Sequence, residues 1–285
     1  MKHIVLIPVY NDWKSLEKLI SKLDFYLSRV KKISNEILII NDNSSKEPVI
    51  NCKNLKTIKK IKILYLKKNL GSQKAIAVGL DYLKKDKKNF FVTVMDSDGE
   101  DNPKEVPKML NSAIKHPNYV VTSNRKKREE PYLIIILYKL HLLFTFIFTL
   151  KWISFGNFTT FNKKNIKNLF SNNSSWYAHS ASVIKNCNLI RIYSKREKRY
   201  FGKSNLGLFA LIEHSLRINV VFFKTIIITS CLYLLMIFLF LNHGIKDLIN
   251  CSIIVFNLLI MIIKLKHKII RFSNISAYIK KTKLI

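Results

Sequence analysis

Five short apolar runs punctuate the first 130 residues: Ile4–Val9, Glu36–Ile40, Ile61–Leu66, Phe90–Met95 and Tyr119–Thr122. Their hydrophobicity is continuous rather than alternating, which is the pattern of strands covered on both faces. Between them the period lengthens to that of a helix. Leu16, Leu19, Ile20, Leu23 and Leu27 fall on one face, with Asn11 or Asp12 as N-cap. Ala75, Val78, Gly79 and Leu83 predict a second helix. Pro103, at a first helical position, opens a third, with Val106, Met109, Leu110 and Ala113 turned inward. Alternating strand and helix signals predict an α/β fold with a mainly parallel sheet. Such sheets bind ligands beyond the carboxyl ends of their strands, so the segments after each strand are where chemistry is expected.

After residue 130 the pattern changes. Tyr132–Phe155 is apolar but carries Lys139, His141, Lys151 and Trp152, which reads as an interfacial helix. Thr225–Leu241 is a run of 17 uncharged residues, and Leu248–Ile263 is a run of 16 interrupted by Asn250 and Asn257. Both fall a little short of the roughly 20 residues of a membrane span, a deficit that tilt or local thinning accommodates. A buried hairpin in a soluble domain is the alternative, but too little chain remains to cover two helices that are apolar all round. The expected organisation is an α/β core over 1–130, an intermediate segment with interfacial helices over 131–220, and a two-helix transmembrane region with a basic tail over 221–285.

Composition sharpens this division. The chain of 285 residues has a formal charge of +31 and is 48% hydrophobic, which excludes a disordered basic tail. Nucleic acid and an anionic membrane surface are two partners that would account for the charge. A third source is composition drift, since 41 of the 49 cations are Lys. Placement is more informative than the total. Residues 1–130 hold 27 Lys and Arg against 15 Asp and Glu, whereas 131–285 hold 22 against 3, namely Glu197, Glu213 and Asp247. Aromatics cluster in the apolar runs rather than on a basic face, so nucleic acid is not an expected partner. None of the four Cys (52, 187, 231 and 251) forms a CxxC pair, so no structural zinc site is expected, and a reducing compartment fits. The N-terminal apolar run is only six residues long and ends in Tyr10-Asn11-Asp12, which reads as a strand rather than a secretory signal.

The strand ends carry the candidate chemistry. The fourth, Asp96-Ser97-Asp98-Gly99-Glu100-Asp101, places four carboxylates within six residues directly after a buried strand. Hard oxygen donors of this kind suit Mg²⁺ or Mn²⁺ bridging to substrate phosphates; the alternative is an acidic turn capping the helix at Pro103. Asp42, in Asn41-Asp42-Asn43-Ser44-Ser45, reads either as a partner for a nucleobase or ribose or as an Asx-turn. Asn69 and Gly71 precede a helix N-terminus, a ready anion site, or form a plain helix-start turn. Arg125 and Arg128 read as phosphate ligands or as a solvated basic loop.

Four motifs then fall in register: PVYND, INDNSS, NLGSQKAIAVG and MDSDGEDNP. Together they resemble glycosyltransferase family 2, the nucleotide-sugar-dependent GT-A fold. SFGNFTTFNKK, over 154–164, resembles the family's aromatic-rich strand. Arg199-Tyr200-Phe201-Gly202-Lys203-Ser204 resembles the RxxGxS motif of the polyprenyl-phosphate branch, which includes dolichol-phosphate mannosyltransferase. The resemblance implies that Pro8, Tyr10 and Asp12 line a nucleotide pocket, with Asn69 and Gly71 beside it, and that Asp42 reads the base. It implies that Asp96 and Asp98, with Glu100 as a further ligand, carry Mg²⁺ or Mn²⁺ on the donor diphosphate. Arg125, Arg128, Arg199, Gly202, Lys203 and Ser204 would meet phosphates or the acceptor. The chain departs from the family pattern at Asn41, Asp12, Glu100 and Thr159-Thr160.

An acceptor hydroxyl needs a general base, usually a carboxylate, whereas a lipid phosphate is already anionic and needs cations. Between 131 and 220 the acids are Glu197 and Glu213, and Lys195, Arg196, Lys198, Arg199 and Lys203 surround the first. The expected activity is therefore an inverting transfer from a nucleotide sugar to a polyprenyl phosphate. Asp101 or Glu100 as base would instead serve a glycan or lipopolysaccharide hydroxyl, and a non-catalytic membrane-anchored binding module is the third reading. Lys264, Lys266, Lys268 and Arg271 after the second apolar run, and Arg217 and Lys224 before the first, place both termini in the cytoplasm of an inner-membrane protein by the positive-inside rule.

Overall fold

The computed structural model describes residues 1–30, 32–48, 50, 55–125, 132–202, 207–240, 244–267, 275 and 277–285. In chain order the elements are β1 (Lys2–Val9), α1 (Trp13–Leu27), β2 (Ser34–Asn41), β3 (Ile58–Leu66), α2 (Ser72–Lys84), β4 (Phe91–Val94), α3 (Val106–Lys115), β5 (Tyr119–Arg125) and α4 (Tyr132–Thr149). They continue with β6 (Phe155–Asn162), α5 (Lys164–Leu169), α6 (Ser174–Tyr177), α7 (His179–Asn186), β7 (Asn188–Ser194), α8 (Leu208–Val220), α9 (Phe223–Phe240), α10 (Ile245–Lys266) and β8 (Ile279–Leu284). Pro103 opens a single 3₁₀ turn that runs into α3, with Asn102 accepting the Lys104 N–H at 3.0 Å as its cap.

The chain divides into two compact units. The first comprises Met1–Arg128, Phe155–Ser204 and Ile270–Ile285; the second comprises Glu129–Ser154 and Asn205–Ile269. In the first unit eight strands form one sheet in the order β7-β5-β6-β4-β1-β2-β3-β8. The pairs β1–β2, β1–β4, β2–β3 and β5–β7 are parallel, as the continuous hydrophobicity predicts. Two strands run the other way. β6 inserts between β4 and β5, antiparallel to both. The basic tail, grouped by sequence with the apolar hairpin, supplies β8, antiparallel to β3 at the sheet edge.

Alternate residues of the central strands face opposite layers. Val5, Ile7, Ile37, Ile39 and Ile63 pack with the inward stripes of α1 and α3. Leu6 and Ile40 face α2, where Gly79 lets helix and sheet approach: a Cβ there would lie 2.7 Å from Leu6 Cδ1. Burial on both faces removes the water that alternating strands keep on one side, which is why these strands read as unbroken apolar runs. One buried polar ladder crosses the sheet. His3 Nδ1 lies 3.0 Å from Asn35 Oδ1 and its Nε2 2.8 Å from Thr93 Oγ1, which in turn lies 2.8 Å from Thr160 Oγ1. Burial lowers the His3 pKa to about 4, so the ring is held neutral.

In the second unit, α4, α8, α9 and α10 are tied by sparse polar contacts. Asn257 Nδ2 donates to Ser230 Oγ at 2.8 Å, Thr229 Oγ1 to the Phe148 carbonyl at 2.8 Å, and Tyr233 Oη to the Ile147 carbonyl at 2.6 Å. Glu213 receives Lys266 at 2.6 Å and His267 at 2.8 Å. α9 and α10, of 18 and 22 residues, are long and apolar enough to cross a membrane. At 1.5 Å per residue they reach about 27 and 33 Å, against a hydrocarbon core of about 30 Å. Their large side chains face outward, including Phe238, Phe240, Leu248 and Ile262.

Candidate active site

The carboxyl ends of β3, β2, β1 and β4 lie along one edge of the sheet, because these four strands are parallel neighbours. The loops that follow them hold most of the candidate residues and knit to one another. Asn11, in the left-handed region at φ 58°, donates its N–H to Ser44 Oγ at 2.9 Å, and its side-chain oxygen accepts the Lys46 N–H at 3.1 Å. Asn41 Oδ1 accepts the Ser44 N–H at 2.8 Å, so the side chain that closes this turn is that of Asn41 and not that of Asp42. Asp42 is buried, and its two oxygens accept the N–H groups of Leu70 and Gly71, each at 2.8 Å. Burial raises its pKa, and those two hydrogen bonds and Lys74 oppose the rise. Asp42 thus pins the β3–α2 turn, in which Asn69 is exposed and Gly71 adopts φ 81° with open space around it. Pro8 is buried at the end of β1, and Tyr10, just beyond, is 47% exposed.

The acidic turn after β4 is folded on itself. Asp101 Oδ2 accepts the Asp96 N–H at 3.0 Å, and Asp98 Oδ1 accepts the Glu100 N–H at 3.0 Å. The side chain of Asp96 is held separately, by Asn157 at the start of β6, whose Nδ2 donates to Asp96 Oδ1 at 3.0 Å. The antiparallel pairing explains the meeting: β4 aligns Val94 with Thr159, and the same register continued puts Asp96 opposite Asn157.

A strap of residues 195–202, leaving the end of β7, crosses this turn. The N–H of Glu197 donates to the Glu100 carbonyl and that of Tyr200 to the Asp98 carbonyl, both at 3.0 Å. Arg199 reaches through to Asp98 at 3.0 Å and to Asp12 at 2.5 Å, while Arg196 pairs with Glu100. Asp12 stands at the N-cap position of α1, but its carboxylate makes no cap hydrogen bond; it is turned to Arg199 instead. Burial lowers the Arg196 pKa, and the charges of Asp98 and Asp96 oppose that. The Tyr200 ring lies flat on Gly99, whose φ of 84° and missing side chain leave room that a Cβ would fill, at 2.3 Å from the ring. The ammonium groups of Lys18 and Lys22 of α1 also lie near this ring, 5.0 and 4.7 Å from its centre. Gly202, at φ 70°, turns the chain after the strap.

Asp12, Asp98 and Arg199 are therefore brought together, with Asp96 and Arg196 beside them. Glu100 is drawn to Arg196, and among the described residues no group of three or more His, Cys, Asp or Glu converges as a metal cage. Asp96 and Asp98 are nonetheless a hard donor pair of the kind Mg²⁺ or Mn²⁺ uses when substrate phosphates complete its shell. Arg125 ends β5, paired in register with Ser194 at the root of the strap. Arg128, Lys203 and Ser204 lie outside the described residues. Gln73 and Asn157 lie within quoted motifs, but the motifs assign neither a role; the pairing of β6 with β4 brings Asn157 to Asp96, and Gln73 Nε2 donates to Asn157 Oδ1 at 2.9 Å.

Comparison with known proteins follows this geometry. The model of glycosyl transferase family 2 matches residues 4–203. Undecaprenyl-phosphate 4-deoxy-4-formamido-L-arabinose transferase of Aeromonas hydrophila is 28% identical over 128 residues, 44% of this chain and 37% of that protein. Dolichol-phosphate mannosyltransferase of Pyrococcus furiosus is 29% identical over 125 residues, 44% of this chain and 33% of that protein. The matched segment thus spans about a third of the length of these curated relatives. Among solved structures, glucosyl-3-phosphoglycerate synthase of Mycobacterium tuberculosis, in complex with Mn²⁺, uridine diphosphate and phosphoglyceric acid, shares the fold with a TM-score of 0.51 at 13% identity, covering 79% of this chain and 78% of that one.

Proposed function

Because the chain belongs to glycosyl transferase family 2, we propose that it transfers a sugar from a nucleotide sugar to a polyprenyl phosphate at the cytoplasmic face of a membrane. The observation that carries this reading is the convergence of Asp12, Asp98 and Arg199, with Asp96 and Arg196 alongside, beyond the carboxyl ends of β1 and β4. Carboxylates and guanidinium groups meet there in one place, as a reaction between a metal-bound diphosphate and a second phosphate requires. Two curated relatives carry polyprenyl or dolichyl phosphate in their names. Two helices able to cross a membrane add to the case for a lipid-borne acceptor.

In this reading the loops after β1, β2 and β3 hold the nucleotide, with Pro8, Tyr10 and Asp12 along it and Asp42 fixing the Asn69–Gly71 turn. Asp96 and Asp98 hold Mg²⁺ or Mn²⁺, which when bound neutralises charge on the leaving diphosphate. Arg199 and Arg196 exchange their carboxylate partners for the acceptor phosphate, for which a guanidinium fork is well shaped. The resemblance assigns Arg125, Arg128, Gly202, Lys203 and Ser204 to phosphates or the acceptor as well, with Arg128, Lys203 and Ser204 outside the described residues. An oxygen of the lipid phosphate attacks the anomeric carbon from the face opposite the diphosphate. The new C–O bond forms as the bond to the diphosphate breaks, so the configuration inverts and the nucleoside diphosphate leaves with the electron pair.

The structure favours a phosphate over a hydroxyl acceptor on one specific point. Two guanidinium groups, those of Arg199 and Arg196, stand at the acidic turn, where a phosphate acceptor needs cations and a hydroxyl does not. Membranes containing the protein, given labelled nucleotide sugars, Mg²⁺ and polyprenyl phosphate, test the proposal. Label should enter the organic phase as a phosphate-linked sugar, and Asp96→Asn and Asp98→Asn should each lower the rate by on the order of 100-fold. Label on glycan alone would move the acceptor to a hydroxyl, and variants matching the parent would sink the assignment of the turn.

A further inference from the structure

Asp96 is the near end of a chain of amides. The backbone N–H of His179, at the start of α7, can only donate, so the atom of Gln73 that meets it at 2.7 Å must be the carbonyl oxygen. The other end of Gln73 is then the NH₂ group, and it lies 2.9 Å from Asn157 Oδ1. That contact orients Asn157 in turn, so its NH₂ faces Asp96 Oδ1 at 3.0 Å. One backbone donor thus settles the direction of both side-chain amides, a choice that their shapes alone leave open. Gln73 is 4% exposed, in the first turn of α2 and directly behind the Gly71 turn. The chain ends on a carboxylate, which as an anion accepts only.

We infer that Gln73 and Asn157 are positioning residues that set the orientation of the Asp96 carboxylate for its ligand. The inference rests on the reading of Asp96 as a ligand of the metal on the donor diphosphate. Outer partners that hydrogen-bond a ligating carboxylate fix its plane and its charge. Here the partner is itself fixed by a buried glutamine anchored to the backbone of α7. Neither amide need touch substrate.

Three substitutions act on this chain without removing Asp96. Asn157→Ala deletes the donor. Gln73→Glu keeps an oxygen for the His179 N–H but loses the NH₂ that orients Asn157, which then turns its own oxygen toward Asp96. Asn157→Asp keeps the size of the side chain but replaces the NH₂ donor with a carboxylate that repels Asp96. The full-length protein in detergent is titrated with Mn²⁺ in the presence of pyrophosphate, and bound Mn²⁺ is read by electron paramagnetic resonance. Thermal unfolding of each variant is followed in parallel. Asn157→Ala and Gln73→Glu should bind Mn²⁺ about 10- to 100-fold more weakly than the parent. Asn157→Asp should weaken Mn²⁺ binding to a similar degree at fixed pH. A purely structural role would lower the melting temperature along with the Mn²⁺ affinity, whereas here the affinity should fall with the melting temperature unchanged. Parent-like binding in all three, with binding lost in Asp96→Asn, would overturn the inference and leave the proposed function standing. Parent-like binding in Asp96→Asn as well, or no Mn²⁺ binding by the parent, would remove Asp96 from the metal site and the inference with it.

Discussion

Arg199 satisfies two carboxylates at once, Asp12 after the first strand and Asp98 after the fourth. With the side chain of Arg199 only 23% exposed, charge-assisted bonds of this kind are worth about 1.5–3 kcal/mol each. Under the proposed function the same guanidinium receives the acceptor phosphate, so its removal should separate the two substrates. Arg199→Ala is expected to raise KM for polyprenyl phosphate about 10-fold or more, the equivalent of one such bond. Nucleotide binding in the presence of Mn²⁺ should not weaken, because the carboxylates lose a competing cation. Steady-state kinetics with each substrate varied in turn checks this; a selective loss of nucleotide affinity would contradict it. The motif containing Arg199 was readable in the sequence, but its partners were not. Asp12 has the position and the chemistry of an N-cap, and only the strap across it explains why its carboxylate makes no cap bond.

At the scale of elements, two buried polar groups hold strands in place. Asp24, on the inner side of α1, accepts the N–H groups of Thr57 and Ile58 at 2.7 and 2.8 Å with one oxygen, and that of Lys56 at 2.9 Å with the other. It therefore fixes where β3 begins. Asp24→Ala leaves three donors without their acceptor and should cost about 3 kcal/mol or more, measured by denaturant unfolding. His3 spans β2, β1 and β4 through Asn35 and Thr93. Its pKa of about 4 lies below the ordinary 6.5. Between those values the unfolded chain carries a proton that the folded chain does not. The stability it contributes is therefore whole above pH 6.5 and falls as pH drops toward 4, at about 1.4 kcal/mol per pH unit. Thermal unfolding across that window should show a shallower decline for His3→Gln than for the parent. The strands themselves were legible as apolar runs, but a histidine inside one carries no sign in sequence of which neighbours complete it.

For the whole molecule, connectivity constrains how the apolar helices meet a bilayer. α4 leaves β5 and returns to β6, and both strands belong to the one sheet. A single crossing by α4 would put that sheet on both sides of a membrane, so the connectivity is incompatible with α4 as a lone span. Two crossings, by α9 and α10, would return the chain to the side it left, which is compatible with the pairing of β8 with β3. This agrees with the basic residues that flank the two runs. In sealed vesicles, with the native cysteines replaced, Lys246→Cys should react with an impermeant thiol reagent from the face opposite to Lys280→Cys. Reaction of both from one face would exclude crossing by the pair.

The sequence alone determined the features that depend on near neighbours. Unbroken apolar runs require strands covered on both sides, helical stripes require a layer to pack against, and 17 uncharged residues in a row require an apolar surrounding. The carboxylates of the 96–101 turn were visible for the same reason, since all four lie in one short stretch. Tertiary structure alone decided the contacts that make these features a site. β6 enters between β4 and β5 in the reverse direction, which brings Asn157 to Asp96 across 61 residues. The strap brings Arg199 to Asp12 across 187. β8 returns from beyond the apolar helices to close the sheet edge. Periodicity is set by the backbone geometry of one element and is written along it, whereas register between distant strands is chosen by the packing of the whole sheet.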